Sequence, residues 1–425
     1  MSKTIRIVGI FIFILLSIAP ASKSRAQNFI TATGRVVDAN TNKPLPYSGL
    51  RISESRLINI SQPNGTFKLK IPAKYQKHAL IISYLGYESK TIGLSEFEKQ
   101  MLTIKLQPTD KSIAEVIVKP GLAESLIEKA LKKIPDNYPD SAKNQMAYYR
   151  ETVKDNGEYC DYIELILNVY KAPYTDKFKN DQIQVLKGRQ DKNLKPSKIY
   201  DYVYFVDGPY EALRCDMAKY PKDFISIPRH YLSFLYPRHF KFYYYSLRYQ
   251  PELGEDILII DFKPKSKRAF YKGSLALHRK TLTFLALYYT IDKNKIGESR
   301  LMSEDVSDYL NSQDIYNQNL NYECFAEYEY KAGQAQFKYV SLSYSYLWKD
   351  RKLNTSDTIE YHSELFIRRT LNKPAEPISI WKRFMYAADI RNQIPRNDAV
   401  FDNENDIPTP YRSIMREYLK SSTQF

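Results

Sequence analysis

Cysteine is scarce in this 425-residue chain: Cys160, Cys215 and Cys324 allow at most one intramolecular disulfide, which excludes a disulfide-stapled scaffold. One thiol must stay free or pair elsewhere, and all three serve equally well as small buried hydrophobes. None has a CxxC neighbour, so dithiol redox chemistry is not expected. Histidine is almost as rare, and His78, His230, His239, His278 and His362 are scattered without a Glu at metal-binding spacing. Glycine numbers only 14, and no phosphate-cradling Gly loop, Gly-x-Ser-x-Gly elbow or internal repeat occurs. Beyond residue 19 no run approaches 18 apolar residues, which excludes helical membrane spans from the rest of the chain. Phe425 ends the chain as an aromatic, but Ser421 to Gln424 before it lacks the alternation of a membrane-barrel strand. No catalytic residue, cofactor or metal ligand is expected from these absences.

What the chain does have is 37 Tyr and 20 Phe, residue types that suit pleated, half-buried surfaces and point to a β-rich protein. It is also basic, with a formal charge of +15. The amino terminus combines Lys3 and Arg6, an apolar run from Ile7 to Ala19, and Ser24-Arg25-Ala26 before Gln27. That pattern reads as a signal peptide over residues 1–26, since the run falls short of the roughly 20 residues that span a bilayer. Its removal takes away Lys3, Arg6, Lys23 and Arg25 and leaves a charge of +11. The expectation is an exported protein of the periplasm or the periplasmic face of the outer membrane. An anionic membrane surface, an envelope protein, a lipid or a glycan is its expected partner; nucleic acid is not.

Residues 27–110 read as a first domain of short strands. Thr31 to Asp38 ends in the turn-forming cluster Asp38-Ala39-Asn40-Thr41-Asn42, and Pro44-Leu45-Pro46 makes a corner. Apolar segments from Ile58 to Ile71 flank Pro63-Asn64-Gly65, whose Asn-Gly step predicts a hairpin. Phe67, Leu69 and Ile71 alternate with Thr66, Lys68 and Lys70, so one face points inward. Leu80 to Tyr87 and Leu102 to Leu106 complete a sandwich-like series.

Gly34-Arg35-Val36-Val37-Asp38, Pro44-Leu45-Pro46-Tyr47, Asn64-Gly65-Thr66-Phe67-Lys68-Leu69, Tyr84-Leu85-Gly86-Tyr87 and Ile113-Ala114-Glu115-Val116-Ile117-Val118 occur in that order. Together they resemble the carboxypeptidase regulatory-like family. The resemblance covers about a fifth of the chain and implies a transthyretin-like sandwich of about seven strands without catalytic apparatus; the zinc site of a carboxypeptidase has no ligands here. Such domains often precede TonB-dependent transporters of the outer membrane, but the chain that follows is too short for a plug and barrel.

After a linker at 111–120, residues 121–370 read as a larger β-rich domain opened by an amphipathic helix. Leu122, Leu126, Ile127, Ala130, Leu131 and Ile134 form its apolar stripe, and Pro135 stops it. Met146 to Val153, Tyr162 to Tyr170, Ile257 to Phe262, Phe270 to His278, Thr281 to Ile291, Tyr322 to Tyr330 and Phe337 to Trp348 read as strands. Hairpins around Arg279-Lys280 and Lys331 to Gln336 make the sheet antiparallel. The fold class is therefore mainly β: a sandwich, then an antiparallel sheet or half-barrel with a few helices. Ile134-Pro135-Asp136-Asn137-Tyr138-Pro139, Tyr148-Tyr149-Arg150-Glu151, Leu186-Lys187-Gly188-Arg189 and Ile260-Asp261-Phe262-Lys263-Pro264 with Tyr271-Lys272-Gly273 are similar to uncharacterised envelope proteins that join a regulatory-like sandwich to a second β-rich domain. The Lys-Pro turn, Tyr-x-Gly strand and following hairpin also resemble the half-barrels of periplasmic lipoprotein carriers. Residues 371–425 read as a Pro-interrupted extension with a loop at Asp402 to Asp406 and a short helix near Tyr411 to Leu419.

Three groups of side chains qualify as sites. Tyr243, Tyr245, Tyr328, Tyr330, Tyr344 and Tyr346 suggest an aromatic face for an apolar or glycan ligand, or simply shared core and surface positions. Lys263, Lys265, Lys267, Arg268 and Lys272 suggest an anionic docking surface, as does the basic stretch Lys177 to Lys198, or else solvated loops that guard a sheet edge. Glu323, Glu327 and Glu329 share a strand face, as a solvent-facing edge or a carboxylate pair. The function expected is a non-enzymatic binding or assembly module. The alternatives are a hydrolase with an unrecognised active site in the larger domain, and a purely structural adaptor.

Overall fold

The computed structural model describes residues 29–46, 48–53, 58–62, 64–84, 87–98, 101–108, 121–176, 178–191, 194, 208–220, 233–249, 257–295, 311–331, 333–371, 374–385, 390–395, 416 and 419–420. The leader, Ile113 to Val118 and Asp402 to Asp406 lie outside them. The chain divides into two compact units, residues 1–84 with 88–108, and 85–87 with 109–425. The extension from 371 is part of the second unit.

The first unit holds seven strands in two sheets. These are β1 (Phe29–Asp38), β2 (Gly49–Ile52), β3 (Ile58–Ile60), β4 (Thr66–Pro72), β5 (Ala79–Ser83), β6 (Lys90–Gly93) and β7 (Leu102–Leu106). One sheet runs β4-β1-β7, with β1 and β7 parallel, and the other β3-β2-β5-β6. Their inner faces bury Ala32, Val36, Phe67, Leu69, Ile71 and Ile104 in one sheet and Leu50, Ile52, Leu80 and Ile82 in the other. The alternation of β4 therefore falls as its sequence dictates.

The Asn64-Gly65 turn forms, with Gly65 at φ +78°, but it makes no hairpin. β3 pairs with β2 and β4 with β1, so the turn carries the chain from one sheet to the other. Two contacts explain the divergence. The Ser61 hydroxyl accepts from Ser48 N–H at 2.9 Å and ties the end of β3 to the β2 side, whereas Val36 N–H donates to the Gly65 carbonyl at 2.9 Å and draws the start of β4 to β1.

The second unit is built on a ten-stranded antiparallel sheet. Its strands are β8 (Lys143–Asp155), β9 (Glu158–Lys171), β10 (Gln182–Gln190), β11 (Tyr243–Tyr249), β12 (Ile257–Pro264), β13 (Tyr271–His278), β14 (Phe284–Ile291), β15 (Ile315–Lys331), β16 (Gln334–Asp350) and β17 (Thr355–Thr370). The order is β10-β9-β8-β17-β16-β15-β14-β13-β12-β11: a meander from β11 to β17, with the β8–β10 meander joined to β17. Both sequence-predicted hairpins occur, closed by Gly333 at φ +84° and Leu282 at φ +58°. The apolar series Val340 to Trp348 faces one way as its period of two requires. At Lys338, where the register with β15 shifts, a bulge lets Phe337 join the same side out of phase.

That side carries the main core. It is covered by α1 (Leu122–Lys132), whose Ala123, Ile127 and Ala130 are buried, by α2 (Ile134–Asn137) and by α3 (Pro209–Arg214). The amphipathic helix ends at Lys132, and Pro135 occupies the first turn of α2, where its missing N–H costs nothing. Phe234 inserts beside them and stacks on Phe262 at 3.9 Å between ring centroids. Trp348 lies wholly inside this core. The opposite side carries a smaller cluster of Ile259, Ala276, Ala286, Tyr288, Phe325 and Tyr339, topped by Leu419.

Gly273 marks the tightest point of the sheet. A Cβ there would meet the Tyr288 carbonyl oxygen at 2.1 Å and the Phe262 ring at 2.7 Å. Gly273→Ala is therefore expected to cost about 1–3 kcal/mol of unfolding free energy by overpacking. Equilibrium urea denaturation followed by far-UV circular dichroism checks it, and an unchanged midpoint would show that the strand yields.

Candidate functional site

The predicted aromatic ligand face is part of the core. Tyr243, Tyr328, Tyr344 and Tyr346 are buried, and Tyr245 and Tyr330 pack half-buried against the same cluster. Tyr344 stacks on Tyr361 at 4.4 Å and on Tyr322 at 6.2 Å, Tyr330 stacks on His278 at 5.4 Å, and the Tyr245 hydroxyl donates to the Phe234 carbonyl at 2.5 Å. Burial raises the pKa of Tyr344, Tyr346 and Tyr328 well above the ordinary phenol value. In this structure their rings pack against other aromatic and apolar side chains of the large unit.

The basic run has the opposite fate. Lys263 is exposed near the end of β12 and Lys265, Lys267 and Arg268 on the connection to β13, with Lys272 half-buried at the start of β13. Lys265 and Ser266 N–H both donate to the Phe242 carbonyl, at 2.8 and 3.3 Å, which brings this connection against the 3-10 turn Pro237–Phe242 with its Arg238 and Lys241. Asp292 N–H donates to the Phe270 carbonyl at 2.8 Å and adds Lys293 and Lys295 from the turn after β14. Within residues 237–242, 263–272 and 292–295, Asp292 is the sole acidic residue. Aromatic rings lie under the cations: Lys265 Nζ is 5.5 Å from the centroid of Tyr244, which is 53% exposed, and Lys241 Nζ is 5.2 Å from Phe242. The sequence displays the central run, but the flanking cations come from segments that only the sheet order brings alongside.

Two further constellations escaped sequence reasoning because their members are far apart in the chain. In the core, Lys171 Nζ pairs with Asp181 Oδ2 at 2.6 Å and Asp216 Oδ2 at 2.7 Å. Tyr328 and Tyr174 donate to the same Asp216 carboxylate at 2.6 and 2.8 Å. Burial by itself would lower the Lys171 pKa, but the two carboxylates outweigh it and raise it. The amine is thus held protonated and is unsuited to act as a nucleophile or base. The adjoining recess, lined by Lys143, Gln145, Lys171, Tyr174 and Phe337 among others, has room for about one water molecule. Burial, full pairing and lack of space identify a structural clamp.

On the opposite face, Glu164 is bonded by Arg189 and Tyr148, and Glu364 by Arg150 and Tyr339. Glu323 of the predicted carboxylate trio sits beside them and accepts from Lys420 at 2.9 Å and Arg416 at 3.2 Å. It anchors the C-terminal helical residues. Among the described residues no His/Cys/Asp/Glu group has metal-site geometry.

The seven-stranded unit can be placed by comparison. Residues 32–118 match the family model of the CarboxypepD_reg-like domain. The N-terminal unit is a CarboxypepD_reg-like domain. This agrees with the resemblance carried by its motifs, and the CarboxypepD_reg-like domain does not by itself specify an activity. No curated protein matches the chain. Among solved structures it is similar to a 9R-lipoxygenase from Cyanothece, at 10% identity and TM-score 0.15, covering 37% of this chain and 42% of that one. It is also similar to lipovitellin in a structure of lipid–protein interactions, at 9% identity and TM-score 0.26, covering 59% and 28%. The chain spans less than half of either protein, and at those scores neither likeness bears on fold or function.

Replacing Lys171 by Met leaves two carboxylates buried without their cation, so about 3–5 kcal/mol should be lost; adding Asp181→Asn and Asp216→Asn should restore much of it. Thermal unfolding of the single and triple variants checks this pattern, and equal losses in both would reject the clamp. Acid should act on the C-terminal anchor. Burial opposes ionisation of Glu323, but Lys420 and Arg416 prevail and hold its pKa below the usual 4.5. Its contribution is therefore full above that value and disappears as the pH falls through the depressed folded one. The protection of the Leu419 amide relative to its intrinsic exchange rate should fall below pH 4.5 in the native protein and should already be low at neutral pH in Glu323→Gln.

Proposed function

We propose that this protein is a non-enzymatic docking module of the bacterial envelope, exported by its leader and held on an anionic lipid surface. One observation carries the reading: the basic corner formed by the β12–β13 connection, the Pro237–Phe242 turn and the turn after β14. Clustered exposed cations attract phosphate-bearing head groups through a field that a lone lysine does not produce. Beneath them Tyr244 adds an amphipathic ring of the kind that settles at a membrane–water boundary, and Phe242 adds an apolar one. The CarboxypepD_reg-like domain is then available to engage an envelope protein. The aromatic-face ligand is not part of this proposal, since those tyrosines are spent on packing.

Co-sedimentation of the full chain with phosphatidylcholine vesicles, with and without phosphatidylglycerol, tests it. Binding should require the anionic lipid and weaken steeply with salt. The variant Lys263→Glu/Lys265→Glu/Lys267→Glu should lose about 3 kcal/mol at low salt, on the order of 100-fold. Its melting temperature should not change, because all three side chains are exposed. Equal binding to neutral vesicles, or undiminished binding by the variant, would reject the docking surface.

A further inference from the structure

Cys215 follows α3 directly, and the segment after it lies across β15: Ala218 N–H donates to the Tyr328 hydroxyl at 3.2 Å, and that hydroxyl donates to Asp216. Cys324 stands four residues before Tyr328 on the same face of β15, opposite Tyr289 of β14. Cys215 and Cys324 belong to the same buried core cluster and their thiols are neighbours within hydrogen-bonding reach, while the Cys215 thiol also donates to the Glu211 carbonyl at 3.5 Å. Tyr289, the cross-strand partner of Cys324, belongs to the same core cluster as both thiols. Cys160 is elsewhere, with its thiol on the Val153 carbonyl in the β8–β9 hairpin. Both paired thiols are buried in apolar and aromatic surroundings.

We propose that Cys215 and Cys324 are a disulfide-forming pair that locks α3 and the strap after it to the middle of the large sheet, while Cys160 remains a thiol. The reaction is thiol–disulfide exchange with an oxidant that is itself a disulfide. One thiol loses its proton and attacks that disulfide, expelling one oxidant sulfur as a thiolate. The second cysteine thiolate then attacks the mixed disulfide and expels the other. Two protons and two electrons leave the protein, one S–S bond forms, and the oxidant is reduced to its dithiol. Once α3 packs down, hydrogen bonding to Cys324 and burial raise the Cys215 thiol pKa, so exchange belongs to the folding chain, when both sulfurs are accessible. A link across 109 positions removes much of the freedom of the unfolded chain and opposes release of the roof over the aromatic core.

This inference is independent of the docking surface, and it requires an oxidising compartment without requiring a particular one. The full chain is expressed in a Gram-negative host whose cytosol also permits disulfides, so that pairing is tested whether or not the leader directs export; cleavage of the leader is read separately from the intact mass. Cells are quenched in acid, and the denatured protein is alkylated with N-ethylmaleimide, with and without prior reduction. The expected result is one alkylated cysteine before reduction and all three after it. Peptide mapping should join the Cys215 and Cys324 peptides, with a mass about 2 Da below the sum of the free thiols. Cys215→Ser and Cys324→Ser should each expose two thiols without reduction, and Cys160→Ser none. Three alkylated cysteines before reduction, or a bond that includes Cys160, overturns the proposal.

Discussion

The large unit depends on finding partners for buried phenols. From β13 to β8 a row of tyrosines, Tyr271, Tyr289, Tyr322, Tyr344, Tyr361 and Tyr149, crosses successive strands on one face, ring beside ring. Their apolar bodies supply the burial that holds helices to the sheet, but an unpaired hydroxyl in such a core costs about 1–3 kcal/mol. Acceptors are therefore supplied from both the sheet and its roof. Glu151 accepts from Tyr149 and Tyr361, Asp216 after α3 accepts from Tyr174 and Tyr328, and the Phe284 carbonyl accepts from Tyr138. Each acceptor fixes the element that carries it, so the position of α3 follows from where the phenols point.

Charge is distributed by the same logic. Asp181 and Asp216 enter the core together with the cation Lys171. On the opposite face, Glu164, Glu364 and Glu323 are matched by Arg189, Arg150 and the C-terminal Arg416 and Lys420. Exposed cations gather at the ends of β11 to β14. The two edges of the sheet are handled differently. Ile378 and Phe384 N–H donate to the Gln182 side chain and the Ile183 carbonyl, so the C-terminal extension covers β10. The β11 edge instead carries exposed Tyr244 and adjoins the lysine-rich connection, which discourages pairing with another strand.

Much of this architecture was legible in the sequence wherever burial is periodic. The stripe from Leu122 to Ile134 and the alternation from Val340 to Trp348 translate directly into a helix face and a strand face. β17 escaped notice because Thr355 to Thr370 is rich in Ser, Glu, His and Arg, side chains absorbed by the polar network on the outer face and so invisible as a hydrophobic pattern. The Asn64-Gly65 step specified a turn correctly, but a turn does not dictate whether its two strands pair with each other. The six candidate tyrosines were visible as strand residues; their burial was not, because the roof comes from separate segments. Lys171, Asp181 and Asp216 have no local signature at all, since their relation exists only after β9, β10 and α3 have met.

The two tryptophans stand at opposite extremes of this molecule. Trp348 is enclosed among the stacked tyrosines, while Trp381, in the strap along β10, is 93% exposed. The protein thus contains a pair of intrinsic optical probes at its centre and its rim. A water-soluble quencher should silence the red-shifted emission of the rim and spare the blue-shifted emission of the centre. Loosening of the strap and melting of the core can then be followed as separate events in the unlabelled chain.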